Sequence, residues 1–263
     1  MNGSQLSYLV SAIIPTRDRP EMLMRAVKSV AGQTYQNIET IIVNDGAEYD
    51  LEDMIRKETG IQACRVLKSA RKPGAAGARN TGFYASKGNF IAFLDDDDEW
   101  MPEKIEKQVE TFQRSDNKVG IVWTQYFNVR GTSKTLRCLQ LEGNVYAILC
   151  KAHIAGNTSV PLIRRYVLEE VGPFDESFSA AQDTDLWLRI AKYYHSTTVY
   201  EPLALIHRHH SERITNNNKN QFLGSYALLR KHWKDLPMQR KYTLTKRICR
   251  KGLDIVLEQL RRI

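Results

Sequence analysis

Cysteine is scarce and scattered in this chain. Cys64, Cys138, Cys150 and Cys249 form no CxxC pair and no cluster with histidine. That spacing argues against a disulfide framework and a structural zinc site, and it points to a reducing compartment. No apolar run reaches the roughly 18 residues that cross a bilayer. The opening stretch MNGSQLSYLVSAIIPT has neither a basic leader nor a long apolar segment, so it does not read as a signal peptide. The expected location is the cytoplasm. Internal repeats are missing too, and the polar patch Asn216-Asn217-Asn218 is the single low-complexity feature.

What is present is apolar enough for a sizeable core. At 263 residues and 42% hydrophobic content, the chain suits one large domain or one domain with a small appendage. The net charge is +8, yet residues 230–263 carry eleven Lys/Arg against three Asp/Glu. That segment holds the whole excess, and residues 1–229 are close to neutral.

The first hundred residues alternate between continuous apolar stretches and amphipathic ones. Residues 8–14 (YLVSAII), 38–43 (IETIIV), 64–67 (CRVL) and 89–94 (NFIAFL) read as strands, the first closed by Pro15. Between them lie helical patterns after Pro20, over 51–58 and over 76–86. Such a sequence predicts an α/β fold with a parallel sheet buried on both faces. Ligands of these sheets bind at the carboxyl ends of the strands. Pro15-Thr16, Asp45 and the run Asp95 to Asp98 all fall there. The second half is less regular: 120–128 reads as a strand, 144–150 is ambiguous, and 164–171 and 183–194 read as helices.

The stretch FLDDDDEW carries the sharpest chemistry. Adjacent carboxylates at a strand end raise one another's pKa unless a cation sits among them. A solvated loop is the plain reading, but this run follows a buried strand directly and returns to packing at Trp100-Met101-Pro102. A divalent cation, Mg²⁺ or Mn²⁺, relieves the repulsion and is commonly shared with substrate phosphates. A phosphoaspartate phosphatase would instead carry Asp-x-Asp followed by Gly-Thr.

KPGAAGARNTG, residues 72–82, matches neither GxGxxG nor GxxxxGK. It reads as a glycine-lined helix start, in which Arg79 is placed to meet a phosphate or nucleotide. Asp183 and Asp185 head an amphipathic helix, where they either complement the helix dipole or present a general base. HRHHSER, residues 207–213, is a loop whose imidazoles and guanidinium groups suit a departing diphosphate.

Taken in order, VSAIIPTRDRP, IIVNDG, GARNTG, FLDDDDEW and QDTDLWLRIA resemble the family 2 glycosyltransferases with the GT-A (nucleotide-diphospho-sugar transferase) fold. The resemblance spans about residues 7–215. It implies a mostly parallel central sheet flanked by helices, with a catalytic domain over 1–215 and a basic helical extension over 216–263. Within the catalytic domain, 1–100 would bind the nucleotide sugar and 101–215 the acceptor. By similarity Pro15 and Thr16 border the base, Asp45 reads its edge, and Arg79 contacts the nucleotide. Asp97 is the implied metal ligand, with Asp95 and Asp96 on the ribose or the metal's water shell, and Asp98 structural, capping the following helix. Asp183 matches the catalytic base, although the usual Glu-Asp is here Gln182-Asp183. His210 matches a histidine near the diphosphate. The implied reaction inverts the anomeric centre, with a UDP-sugar as expected donor and a saccharide or lipid-linked saccharide as acceptor.

Two other readings stay open on the residues alone. A nucleotidyltransferase acting on sugar phosphates would carry a glycine- and arginine-rich signature after the first strand, where this chain has PTRDRP. A non-catalytic carbohydrate-binding protein would not need both the aspartate run and Asp183. Specificity is expected in the irregular region around residues 125–180, with Trp123, Tyr126 and His153 nearby. In the tail, Ile248, Gly252, Val256 and Leu260 form a stripe widened by Leu253, Leu257 and Ile263. That stripe either packs on the core or a subunit of an oligomer, or attaches to an anionic membrane surface. Nucleic acid is not expected, because no helix-turn-helix or stacking-aromatic motif accompanies the charge.

Overall fold

The computed structural model describes residues 8–47, 51–59, 64–152, 156–208 and 217–260. The first half alternates strand and helix: β1 (Val10–Thr16), α1 (Pro20–Ala31), β2 (Ile38–Asn44), α2 (Leu51–Thr59), β3 (Cys64–Lys68), α3 (Ala75–Ala85) and β4 (Phe90–Phe93). There follow β5 (Glu99–Trp100), α4 (Lys104–Arg114), β6 (Val119–Arg130), β7 (Ser133–Arg137), α5 (Tyr146–Lys151), β8 (Leu162–Arg164), α6 (Arg165–Val171) and α7 (Gln182–Tyr193). The chain then runs through β9 (His195–His207), α8 (Asn218–Lys231) and α9 (Met238–Leu260).

The strands form one sheet in the order β3-β2-β1-β4-β8-β6-β9-β5, with β7 paired to β6. It is parallel from β3 to β4 and mixed beyond, since β8 runs antiparallel to both β4 and β6. Every residue of β1 is buried, as a strand covered on both faces requires. β1 does not stop at Ile14 as its proline suggested. It continues through Pro15 and Thr16, paired with Val43 and Asn44 of β2, while its ladder with β4 ends at Ile13. Pro15 therefore sits where one neighbour has already left, the kind of position at which a strand accepts proline.

α3 is buried along most of its length, and small residues allow it to lie close to the sheet. A Cβ on Gly82 would fall 2.4 Å from Ile13 Cγ2, and one on Gly77 would fall 1.9 Å from the Lys72 carbonyl oxygen. Because Lys72 O is backbone, it cannot swing aside. Gly77→Ala is expected to destabilise the protein by about 1–3 kcal/mol, the usual cost of overpacking, measured by thermal or urea unfolding.

In the second half the ambiguous 144–150 segment resolves into α5. Trp123 and Tyr126 prove to be core: Trp123 meets Trp187 of α7 edge-on at 5.0 Å, and both tryptophans are buried. They are packing residues and not exposed specificity determinants; His153 lies outside the described residues. β9 pairs in parallel with β6, with register shifts around Gln125 that interrupt its alternation.

Leu228, Leu236 and Leu244, from α8, the elbow after it and α9, join the main core. All four cysteines are free thiols. Among the described residues, no helix is long and apolar enough to cross a membrane.

Candidate active site

The aspartate run bridges two distant parts of the sheet. It leaves β4 beside β1, where Leu94 N still donates to Ile13 O, and ends in β5, which pairs with β9. Stretched between them, its four carboxylates point in two directions. Oxygens of Asp95, Asp97 and Asp98 lie within 4.8 Å of one another. Asp96 turns the other way and is buried, accepting the Thr16 hydroxyl at 2.8 Å and pairing with Arg19 at 2.6 Å.

Cations and hydroxyls surround the run. Arg79 of α3 pairs with Asp95, and Thr158 Oγ1 donates to the same carboxylate at 3.1 Å. Arg19 also reaches Asp97 at 3.6 Å, and Arg25 of α1 donates to the Asp97 carbonyl at 2.7 Å. Ser159 accepts from Asp95 N at 3.0 Å and donates to Asp98 at 2.6 Å. Asp98 also accepts the backbone N–H of His207, whose imidazole meets Glu99 at 2.6 Å. Asp98 therefore belongs to the cluster. It does not cap the following helix, whose N-cap is Glu103.

Burial first, then the neighbouring Asp95 and Asp97, lifts Asp98 well above the ordinary carboxylate range. Burial also pushes Asp96 up to about 6, opposed by Arg19 and Thr16 and assisted by Asp97 and Asp95. These are carboxylates short of positive charge. An all-oxygen donor set with that deficit fits a hard divalent cation such as Mg²⁺ or Mn²⁺. Arg79 adds a deficit of the opposite kind, because its buried Nε has no hydrogen-bond partner among the described residues. A buried donor of that sort is suited to an anionic ligand.

Asp45 lies at the end of β2, next to Thr16: its N–H donates to Thr16 O and its carboxylate accepts Gly74 N at 2.8 Å. Pro15, Thr16, Asp45, Arg79, Asp95, Asp96 and Asp97 thus gather at the carboxyl ends of β1, β2 and β4. His210 lies outside the described residues; the described histidine that reaches the run is His207.

Asp183 stands on the first turn of α7. Its carboxylate accepts the Thr184 N–H at 2.7 Å, and no hydrogen bond or ion pair joins it to the aspartate run among the described residues. The turn is held under strain. Ala181, the N-cap, has a left-handed φ of 61°, a conformation that costs a non-glycine residue about 1–3 kcal/mol. Two residues on, Asp185 is wholly buried and meets Arg189 at 2.9 Å, Lys231 at 2.9 Å and His232 at 2.8 Å. Arg189 also caps the carbonyls of Val171, Gly172 and Pro173.

The segment after Pro173 leads back to α3. Asn80 clasps both backbone groups of Phe174 and donates to Glu176 at 2.7 Å, while Glu176 pairs with Arg71. Sequence reading missed Arg19, Asn80, Thr158, Ser159 and Glu176. Asn80 and Arg19 lie inside motifs already singled out, next to Arg79 and Pro20. Thr158, Ser159 and Glu176 have no local signal, since each acts through partners some 60–100 positions away.

Residues 11–171 match the family profile described as Glycosyl transferase family 2. A Rickettsia prowazekii (strain Madrid E) protein named an uncharacterized glycosyltransferase is 31% identical over 232 residues, covering 84% of this chain and 70% of its own length. An Escherichia coli protein, UDP-Glc:alpha-D-GlcNAc-diphosphoundecaprenol beta-1,3-glucosyltransferase WfgD, is 30% identical over 185 residues, 70% of each chain. Among solved structures, S. aureus TarS 1-349 in complex with UDP-GlcNAc superposes with a TM-score of 0.66 at 15% identity, covering 94% of this chain and 73% of that one. At that identity the likeness is one of fold.

Proposed function

The chain belongs to glycosyl transferase family 2 and is a glycosyltransferase of GT-A fold, and from that premise we propose that it moves a sugar from a nucleotide-diphospho-sugar to an acceptor hydroxyl with inversion. The observation that carries the reading is the aspartate run at the end of β4, three of whose carboxylates converge within 4.8 Å beside an arginine with a free buried donor. A UDP-sugar is the expected donor, and a saccharide or lipid-linked saccharide the expected acceptor. The WfgD relative, whose name gives both, supports that choice.

In this reading Asp45, Pro15 and Thr16 receive the base and Asp96, held by Thr16 and Arg19, lies toward the ribose. Arg79 offers its Nε–H to the diphosphate, and His210, outside the described residues, is proposed to contribute to its binding. Asp97, with Asp95 and Asp98, would hold a divalent cation, which when bound supplies positive charge against the departing diphosphate. Asp183 accepts the proton of the acceptor hydroxyl as that oxygen attacks the anomeric carbon from the side opposite the leaving group. The bond to the diphosphate breaks as the new glycosidic bond forms.

The test is release of nucleoside diphosphate from a panel of nucleotide sugars, with and without Mn²⁺ or Mg²⁺. At least one donor is expected to be turned over in a metal-dependent way and to raise the melting temperature, because a ligand that binds only the folded state stabilises it. Asp97→Ala is expected to abolish the metal dependence. Absence of both turnover and thermal shift with every donor would reject the proposal.

A further inference from the structure

We propose that the outward face of α9, together with the elbow joining it to α8, docks the protein on an anionic lipid surface. The proposal rests on the glycosyltransferase reading for its purpose, that of reaching a lipid-linked acceptor. Its physical basis is separate.

The apolar residues of α9 spread widely around the helix, and only part of that surface is covered. At 100° per residue, Leu244, Ile248, Gly252 and Ile255 share a side. Leu244 on that side is buried in the core, and Gly252 approaches the Phe222 ring of α8. The opposite arc carries Met238, Tyr242, Leu253 and Leu257, which are 75%, 69%, 59% and 44% exposed. Of the stripe read from the sequence, Gly252 lies on the covered side and Leu253 and Leu257 on the open one; the side chains of Val256 and Leu260, and residue Ile263, lie outside the described ones. A helix whose outer face meets only water is expected to keep that face polar.

The same outer arc carries Lys246 and Arg250, both exposed and without an ion pair among the described residues. Trp233, half exposed at the elbow, lies with Lys241 Nζ 4.6 Å from its ring centroid. Tryptophan and tyrosine favour the headgroup level of a bilayer, aliphatic side chains reach just below it, and each nearby cation adds attraction to anionic lipid. This combination selects the occupant. A second copy of the chain would also cover the apolar arc, but it would set Lys246 and Arg250 of one outer arc against the same pair of the other. Like charges oppose that pairing, whereas an anionic bilayer satisfies both the apolar and the cationic elements. Lys231, the last residue of α8, and His232 at the start of the elbow bind Asp185 in α7. The elbow that leads into α9 is thereby held to the helix that bears Asp183.

The experiment is co-sedimentation of the full chain with vesicles of phosphatidylcholine alone or mixed with phosphatidylglycerol, at low and high salt. Binding is expected only to the anionic vesicles and to weaken with salt. Tyr242→Glu with Leu253→Glu is expected to reduce it by at least about tenfold, and Lys246→Gln with Arg250→Gln to remove the preference for anionic lipid. Because all four positions are exposed, the variants should melt like wild type and hydrolyse nucleotide sugar normally in vesicle-free solution. A failed docking proposal is thereby distinguished from a failed catalytic one. Wild type that ignores anionic vesicles, or a double glutamate variant that still binds them, overturns the inference. So does a solution dimer that the glutamate variant converts to monomer.

Discussion

Asp183→Asn is expected to lower sugar transfer by about 10²–10⁴-fold while leaving donor binding intact, the range over which a positioned general base contributes. Asparagine is nearly the same shape, and its amide oxygen can still accept the Thr184 N–H that now meets the carboxylate at 2.7 Å. What it cannot do is take a proton. Among the described residues Asp183 has no bond to the aspartate run, so the cluster proposed to hold the diphosphate should survive the change. The expected pattern is a collapse in kcat with an unchanged donor-induced shift in melting temperature, measured by diphosphate release and thermal unfolding on the same preparation. Transfer within a few-fold of wild type would remove Asp183 from the role of base. A loss of donor binding equal to the loss of rate would make it a structural residue of α7.

The two carboxylates of QDTD were not equally legible. Read as a string, Asp183 and Asp185 are equivalent candidates for capping or catalysis. The fold separates them by partner, because Asp185 meets Lys231 and His232 from 46 and 47 positions away. Pairing over such distances leaves no periodicity to detect. The parallel half of the sheet was readable for the converse reason. Its strands are continuous apolar runs and its helices have regular buried stripes, so each element announces itself locally. β8 and β9 lack that signal: one is three residues long, and the other crosses register shifts and contains Pro202.

The aspartate run was legible as a cluster but not in its division of labour. Four identical residues in a row give no register. Only the turn between β4 and β5 decides that Asp96 faces Thr16 and Arg19 while Asp98 is drawn inward by Ser159 and His207. The basic tail was visible as charge. Which part of its apolar surface is covered became distinguishable only once Leu244 was seen to be buried and Tyr242 to be exposed.

Asp185→Asn should be among the most destabilising single changes in the protein. The carboxylate is fully buried and paired with Arg189, Lys231 and His232. Neutralising it leaves those groups around a site with no negative charge, and breaking a buried pair in this way costs about 3–5 kcal/mol. For a chain of this size that corresponds to a fall of roughly 10 °C in melting temperature. Acid should reproduce part of the effect in the wild type. Burial pushes the Asp185 pKa up, but His232, Arg189 and Lys231 together outweigh it and leave the value below the ordinary range. Asp175, against Lys231 and Ser177, is likewise drawn down to about 2 despite its partial burial. With both folded values depressed, the unfolded chain takes up protons first as the pH falls. The stabilisation is therefore complete above the unfolded carboxylate value of about 4. It is lost as the pH drops through the folded values, which for Asp175 means toward about 2. Melting curves across that window should show wild type losing more stability than Asp185→Asn, which has already lost the Asp185 share. A variant that melts within about 2 °C of wild type at neutral pH, or whose acid profile runs parallel to it, would show that the Asp185 network does not hold α7 to the carboxyl-terminal helices.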